Sequence, residues 1–213
     1  MKITLENIIP YPLATTKYGT GSVWGNFIEL NQGQQIILNA SSGKGKSTFT
    51  TTLMGIRNDY EGSILYDGIN IKTFTSTDWS KIRSSKMAAV YQDLQLFPQL
   101  TVKENLLLKN RLTDRYTETE LIQHVEKLKI DTKWNHQCGK LSMGQQQRVA
   151  IIRAIAQPYD WLIMDEPFSH LDLENKTNCM DLIHNNTIEQ GAGFILTTLD
   201  NNHTHNYDQE LKL

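Results

Sequence analysis

The run Ala40-Ser41-Ser42-Gly43-Lys44-Gly45-Lys46-Ser47-Thr48 has the residue types and spacing needed to hold phosphate. Gly43 and Gly45 can take backbone angles closed to other residues, so successive N–H groups can turn inward onto phosphate oxygens. A helix starting at this point adds partial positive charge from its N-terminus. Lys46 can reach the outer phosphates, and Ser47 can offer its hydroxyl to Mg²⁺. In the pattern G-x-x-x-x-G-K-[ST], Ala40 stands where the first glycine is expected. A methyl group is tolerable there if the backbone angle is ordinary.

A second group of reactive residues ends an apolar run. Trp161-Leu-Ile-Met164 is followed directly by Asp165-Glu166. Beside a phosphate loop, the first acid can hold Mg²⁺ opposite Ser47, directly or through water. The second can orient an attacking water or accept its proton. A third group, Leu141-Ser142-Met143-Gly144-Gln145-Gln-Gln-Arg148, places a serine and a glycine at a helix start, an arrangement suited to binding an anion.

These residues need elements to position them. Ile36-Ile37-Leu38 reads as the strand before the phosphate loop, and Thr48 to Ile56 as the helix after it. Residues 2–9 and 22–38 contain strand-like runs separated by Gly- and Thr-rich turns, and further short strands read at Gly62 to Gly68 (closed by an Asp-Gly turn), Met87 to Tyr91 and Phe194 to Thr198. Glu210 to Leu213 reads as a last edge strand. From Thr101 to about Ile155 the pattern is helical. Thr101-Val-Lys-Glu104 is a capping box, and Leu121, Val125 and Leu128 share one helical face. A third helix starts at Ser142 and stops before Pro158, and a fourth covers 174–190. Strands alternating with helices predict an α/β domain with a largely parallel sheet. The helical block at about residues 93–157 reads as an insertion into it.

Bulk composition narrows the classes. Charged residues are 21% and hydrophobic residues 39% of the 213, as in ordinary globular domains. A formal net charge of −2 gives no electrostatic reason to expect nucleic acid. No apolar window is long enough for a membrane helix, and the N-terminus does not read as a signal peptide. Cys138 and Cys179 lie in no metal-type spacing, which suits free thiols in a reducing cytoplasm.

Together and in this order, the three motifs resemble the nucleotide-binding subunit of ATP-binding cassette (ABC) proteins, over nearly the whole chain. Ala40 to Thr48 looks like the Walker A loop. Gln92, in Val90-Tyr-Gln-Asp-Leu94, resembles the Q-loop glutamine. Leu141 to Gln145 is similar to the signature L-S-G-G-Q, Trp161 to Glu166 to Walker B with its catalytic glutamate, and Ser169-His-Leu-Asp172 to the D-loop. The stretch Gln92 to Asn105 further resembles importers and the lipoprotein-release and macrolide-export group.

The resemblance implies an α/β P-loop NTPase fold: a mostly parallel sheet core, an N-terminal antiparallel β subdomain and an inserted helical subdomain, with residues 1–213 as one ATPase domain. It implies ATP as substrate with Mg²⁺, and hydrolysis carried by Glu166, Lys46 and Gln92. Ser47, Gln92 and Asp165 would serve the metal. Residues 40–48, with Tyr11 or Tyr18 stacked on adenine, would bind ATP. Ser142, Met143, Gly144 and Gln145 would face the nucleotide of a second copy, with Asp172 in the adjoining loop. A homodimer, separate membrane permease subunits and a cytoplasmic, peripheral position on the inner face of the cell membrane follow from the same likeness. An ATP-driven mechanical regulator of a membrane partner and a low-turnover ATP-binding switch are the alternatives. The chain also departs from the family pattern. Met143 replaces one signature glycine. In Thr197-Thr198-Leu199-Asp200, Leu199 stands where a histidine for the γ-phosphate is expected. His203 and His205 read as solvated surface residues, and His170 as structural or interfacial.

Overall fold

The computed structural model describes residues 1–15, 18–19, 21–41, 43–199 and 205–213. Ser42, Asp200 and His203 lie outside the described residues. Two sheets form the frame. Strands β1 (Ile3–Pro10), β2 (Phe27–Leu30), β4 (Tyr60–Tyr66) and β5 (Ile69–Asn70) make an antiparallel sheet of order β2-β1-β4-β5. Strands β3 (Gln35–Asn39), β6 (Met87–Val90), β7 (Trp161–Asp165), β8 (Gly193–Thr198) and β9 (Gln209–Lys212) make a parallel sheet of order β6-β7-β8-β3-β9.

Strands β3, β6, β7 and β8 carry near-continuous apolar runs because both faces are covered, while the edge strand β9 buries only Leu211. Their side chains alternate between two cores. Ile36, Leu38, Trp161, Ile163 and Ile195 pack towards the antiparallel sheet and α1 (Lys46–Leu53). Ile37, Leu162, Met164, Phe194 and Leu196 pack towards the helices. The helices are α2 (Ser76–Ser85), α3 (Val102–Asn110), α4 (Glu118–Lys127), α5 (Met143–Ile155) and α6 (Leu173–Glu189). Helices α3, α4 and α5 all fall between β6 and β7 in the chain.

The capping box read from Thr101 and Glu104 is formed in both directions, and Thr117–Glu120 and Ser142–Gln145 form two more. Leu121, Val125 and Leu128 are all buried. Two readings differ. Helix α1 starts at Lys46, inside the loop motif, and ends at Leu53. Helix α2 carries no expectation from the sequence, because it is mostly polar, with only Trp79 and Ile82 packed, half-buried, against the core. It is started by Thr75 and Asp78, a capping box with the shorter acid.

Candidate functional site

The carboxyl ends of β3, β7 and β8 lie side by side, where ligands of open α/β sheets bind. Register aligns them: Asp165 pairs with Thr197, and Asn39 with Thr198. The phosphate loop leaves β3 at this edge. Gly43 and Gly45 have φ of +77° and +101°, as the loop reading required. A Cβ at Gly45 would stand 2.9 Å from Leu13 Cδ1, the movable end of a side chain, so the left-handed backbone angle is what calls for glycine there. Ala40 is not among the residues with positive φ, so the missing first glycine costs little. Of the α-helices among the described residues, α1 alone has no side-chain N-cap. Its first N–H groups remain as donors for an anion.

Lys46 is only 5% exposed, and a buried lysine needs partners. Its Nζ donates to Ala40 O at 2.9 Å and Ser41 O at 3.3 Å, and lies 3.2 Å from Glu166 Oε1. Ser47 Oγ donates to Gln92 Oε1 at 3.4 Å. Ser47, Gln92 and Asp165 line one cleft of about 900 Å³ with Thr51, Arg83 and Tyr91. A hydroxyl, an amide oxygen and one carboxylate are hard oxygen donors, the kind Mg²⁺ takes, and they leave most of its coordination sphere to phosphate and water. The donor set therefore fits the metal. Lys44 and Ser41 are exposed at the loop rim, and Thr48 is half-buried.

Glu166 has φ of +49°, a left-handed conformation that costs a non-glycine residue about 1–2 kcal/mol. Thr197 holds it there. The Glu166 N–H donates to Thr197 O at 3.1 Å and to Thr197 Oγ1 at 3.3 Å. The same hydroxyl donates to Asp165 Oδ1 at 2.7 Å. Thr197, fully buried, thus orients both acids, a role not anticipated from the sequence. Its signal is the β7–β8 register, which a single sequence does not display.

The Ser142 hydroxyl caps α5 by accepting from Gln145 N at 3.3 Å, and Gln145 Oε1 accepts from Ser142 N at 3.0 Å. The Ser142 O–H proton is not used by this cap. Met143, at the first turn, is 49% exposed. Gly144 packs against the segment after Glu166: a Cβ there would stand 2.8 Å from His170 O. Gln147, buried and not anticipated, fixes the same segment by donating to Ser169 Oγ at 2.8 Å and accepting from His170 N at 3.0 Å. Ser169 Oγ in turn meets His170 Nδ1 at 3.0 Å. Asp172 caps α6 by accepting from Asn175 N at 2.8 Å.

The expectation of a solvated His205 is corrected. His205 Nε2 meets Gln35 Oε1 at 2.6 Å, and its ring packs edge-on to His184 and Tyr207 and tilted against Phe194. Burial and the neighbouring His184 lower its pKa. Gln35 opens β3, so this contact ties His205 to the end of that strand away from the phosphate loop, and the ring lines the far side of a cavity that reaches Glu166 and Leu199. Leu199 is 52% exposed. Tyr11 is 60% exposed, with its N–H on Asp59 O at 2.9 Å, while Tyr18 is half-buried and donates to Leu13 O. Cys138 and Cys179 are free and buried, and burial raises their thiols to about 11 and about 12.

Comparison with known proteins agrees with this geometry. The family model described as "ABC transporter" matches residues 27–169. The chain is 30% identical over 201 residues to an aliphatic sulfonates import ATP-binding protein, SsuB, of Bacillus cereus, covering 94% of this chain and 76% of that protein. It is also 30% identical to the lipoprotein-releasing system ATP-binding protein LolD of Buchnera aphidicola, over 81% of this chain and 77% of that one. The dimeric structure of MJ0796, a bacterial ABC transporter cassette, superimposes with a TM-score of 0.83 at 26% identity, over 99% of this chain and 94% of that chain.

Proposed function

Because this chain belongs to the ABC transporter family, as one of its ATP-binding ATPase subunits, we propose that it energises transport through separate membrane permease subunits, with residues 1–213 acting as one cassette. Two copies close over two ATP molecules. In each site Lys46 and the N–H groups of residues 41–48 take the β- and γ-phosphates, and Tyr11 stacks on adenine. Ser47, Gln92 and Asp165 would hold Mg²⁺, which when bound offsets charge on the phosphates. Ser142 and Gly144 of the second copy cover the γ-phosphate, flanked by Met143, Gln145 and the loop ending in Asp172.

The observation that carries this reading is the Lys46–Glu166 pair at 3.2 Å. Phosphate oxygens are the natural replacement for the carboxylate and carbonyls around Lys46 Nζ. Once displaced, Glu166 is free to hold a water in line with the γ-phosphate and accept its proton. Thr197 keeps the carboxylate's backbone fixed through the exchange.

No helix among the described residues is long and apolar enough to cross a membrane. The place proposed for the protein is the cytoplasmic face of the cell membrane, bound to its permease. Affinity purification from solubilised membranes, with bound proteins identified by mass, tests this. A multi-span membrane protein in stoichiometric amount is expected, and recovery of the chain with soluble partners only would contradict it. One observation favours a slower enzyme: Leu199 supplies no hydrogen bond where the family pattern has histidine.

A further inference from the structure

Gln92 is exposed, so packing does not place its side chain. Its position depends on the backbone of the turn that follows, and that turn is costly. Leu94 and Gln95 have φ of +59° and +51°, two successive left-handed residues that are not glycine. The local bonds from Leu94 N to Tyr91 O, at 2.9 Å, and from Gln95 N to Asp93 O, at 2.7 Å, lie within the turn and do not fix it to the rest of the molecule.

Arg153 does. From the last turn of α5, its Nη2 donates to Leu94 O at 2.7 Å and its Nη1 to Gln95 O at 2.6 Å. A planar guanidinium matches two successive carbonyls in a way that a lysine ammonium does not. The other end of α5 is Ser142. The thirteen residues of α5 make a rod of about 20 Å, locked into the core by Val149, Ile151, Ile152 and Ile155.

We infer that Arg153 is a positioning residue for hydrolysis: by clamping the Leu94 and Gln95 carbonyls it sets Gln92 against Ser47, and it ties that placement to the helix whose start faces the second copy's nucleotide. This rests on the role proposed for Gln92. Closure on the partner's ATP moves α5 at Ser142, and the same rigid helix carries the movement to the turn holding Gln92. Each site is thereby informed of the other through one helix.

The test is a double-mutant cycle in the full chain, with Arg153→Met, Gln92→Ala and their combination, read by steady-state phosphate release and by binding of a fluorescent ATP analogue. Arg153→Met is expected to lower kcat by about 10²-fold, the scale of an ångström-sized misplacement. ATP affinity should stay within about threefold, since the phosphate loop is untouched. The combined variant should fall no further than Gln92→Ala alone, because residues acting through one another are not additive. Arg153→Lys, which keeps the charge but grips one carbonyl at a time, should fall between parent and Arg153→Met, and it carries the same cycle if Arg153→Met does not fold. Multiplicative losses, or parental kcat in a folded Arg153 variant, would overturn the inference. Parental turnover in Gln92→Ala would instead remove the role of Gln92 on which it stands.

Discussion

Lys46 Nζ and Glu166 Oε1 stand 3.2 Å apart, so the cation of the phosphate loop and the acid beside it neutralise one another in this arrangement. Both are largely buried, at 5% and 15% side-chain exposure. A buried charge without its partner is costly, so neither residue can be released unless something replaces the other. In the proposed reading a triphosphate would take the place of the carboxylate at Lys46, and the released Glu166 carboxylate would accept a hydrogen bond from a water.

Removing the cation should therefore abolish tight nucleotide binding. Lys46→Ala is expected to weaken binding of a fluorescent ATP analogue by about 10²-fold, the loss of one or two charge-assisted hydrogen bonds at about 1.5–3 kcal/mol each. Unchanged affinity would mean that the loop does not hold phosphate.

Leu199→His should raise steady-state turnover, by up to about the 10²-fold that one transition-state donor is worth. The Thr197 hydroxyl cannot supply that donor, because its proton is committed to Asp165. His205→Ala should leave turnover within about twofold. Its anchor, Gln35, opens β3, about 13 Å before the loop at 3.3 Å per residue. A large loss of phosphate release in His205→Ala would place that segment at the nucleotide.

Stability should fall on mild acidification. Burial lowers the pKa of both His124 and His205 below the ordinary 6.5. The unfolded chain then binds more protons than the folded one, so stability is full above about pH 6.5 and declines as pH drops from there to the lowered folded values. His124 has neither ring nitrogen hydrogen-bonded, and packs edge-on to Tyr116. Urea unfolding of His124→Leu between pH 7.5 and 5 should show a shallower decline than the parent. An equal slope would rule out His124 as a source.

Gly144 is constrained by contact with the segment after Glu166. Gly144→Ala drives a methyl to 2.8 Å from His170 O, a clash costing about 1–3 kcal/mol. A lower melting temperature together with lost turnover is expected. Wild-type values in both would show that the two segments separate freely.

What the sequence displays is set by range along the chain. The phosphate loop, the acid pair after Trp161–Met164 and the Thr101 capping box are local patterns, and they stand where their spacing put them. So does the last edge strand, β9. Helix α2 was illegible because its apolar face is only two residues, Trp79 and Ile82, both half-buried. Thr197, Gln147 and Arg153 were illegible for a different reason. Each acts on a residue far away in the chain: Thr197 on Asp165, Gln147 on Ser169, Arg153 on Leu94. Those pairings are created by the order of the sheet and by the docking of α5, which no short window contains. The departure at Ala40 was legible as harmless only on condition of an ordinary backbone angle, and that condition is met.

Glu166→Gln is the most direct measurement. It keeps the shape of the side chain, removes the charge that competes for Lys46, and leaves Asp165 and Ser47 in place. Light scattering after size exclusion, with and without Mg-ATP, reads dimer closure, and phosphate release reads turnover. The expected result is a stable ATP-dependent dimer with turnover reduced by at least about 10²-fold, the worth of a general base. A variant that stays monomeric at saturating ATP, or that hydrolyses at the parental rate, would contradict the assignment of Glu166 and the closed two-site assembly built on it.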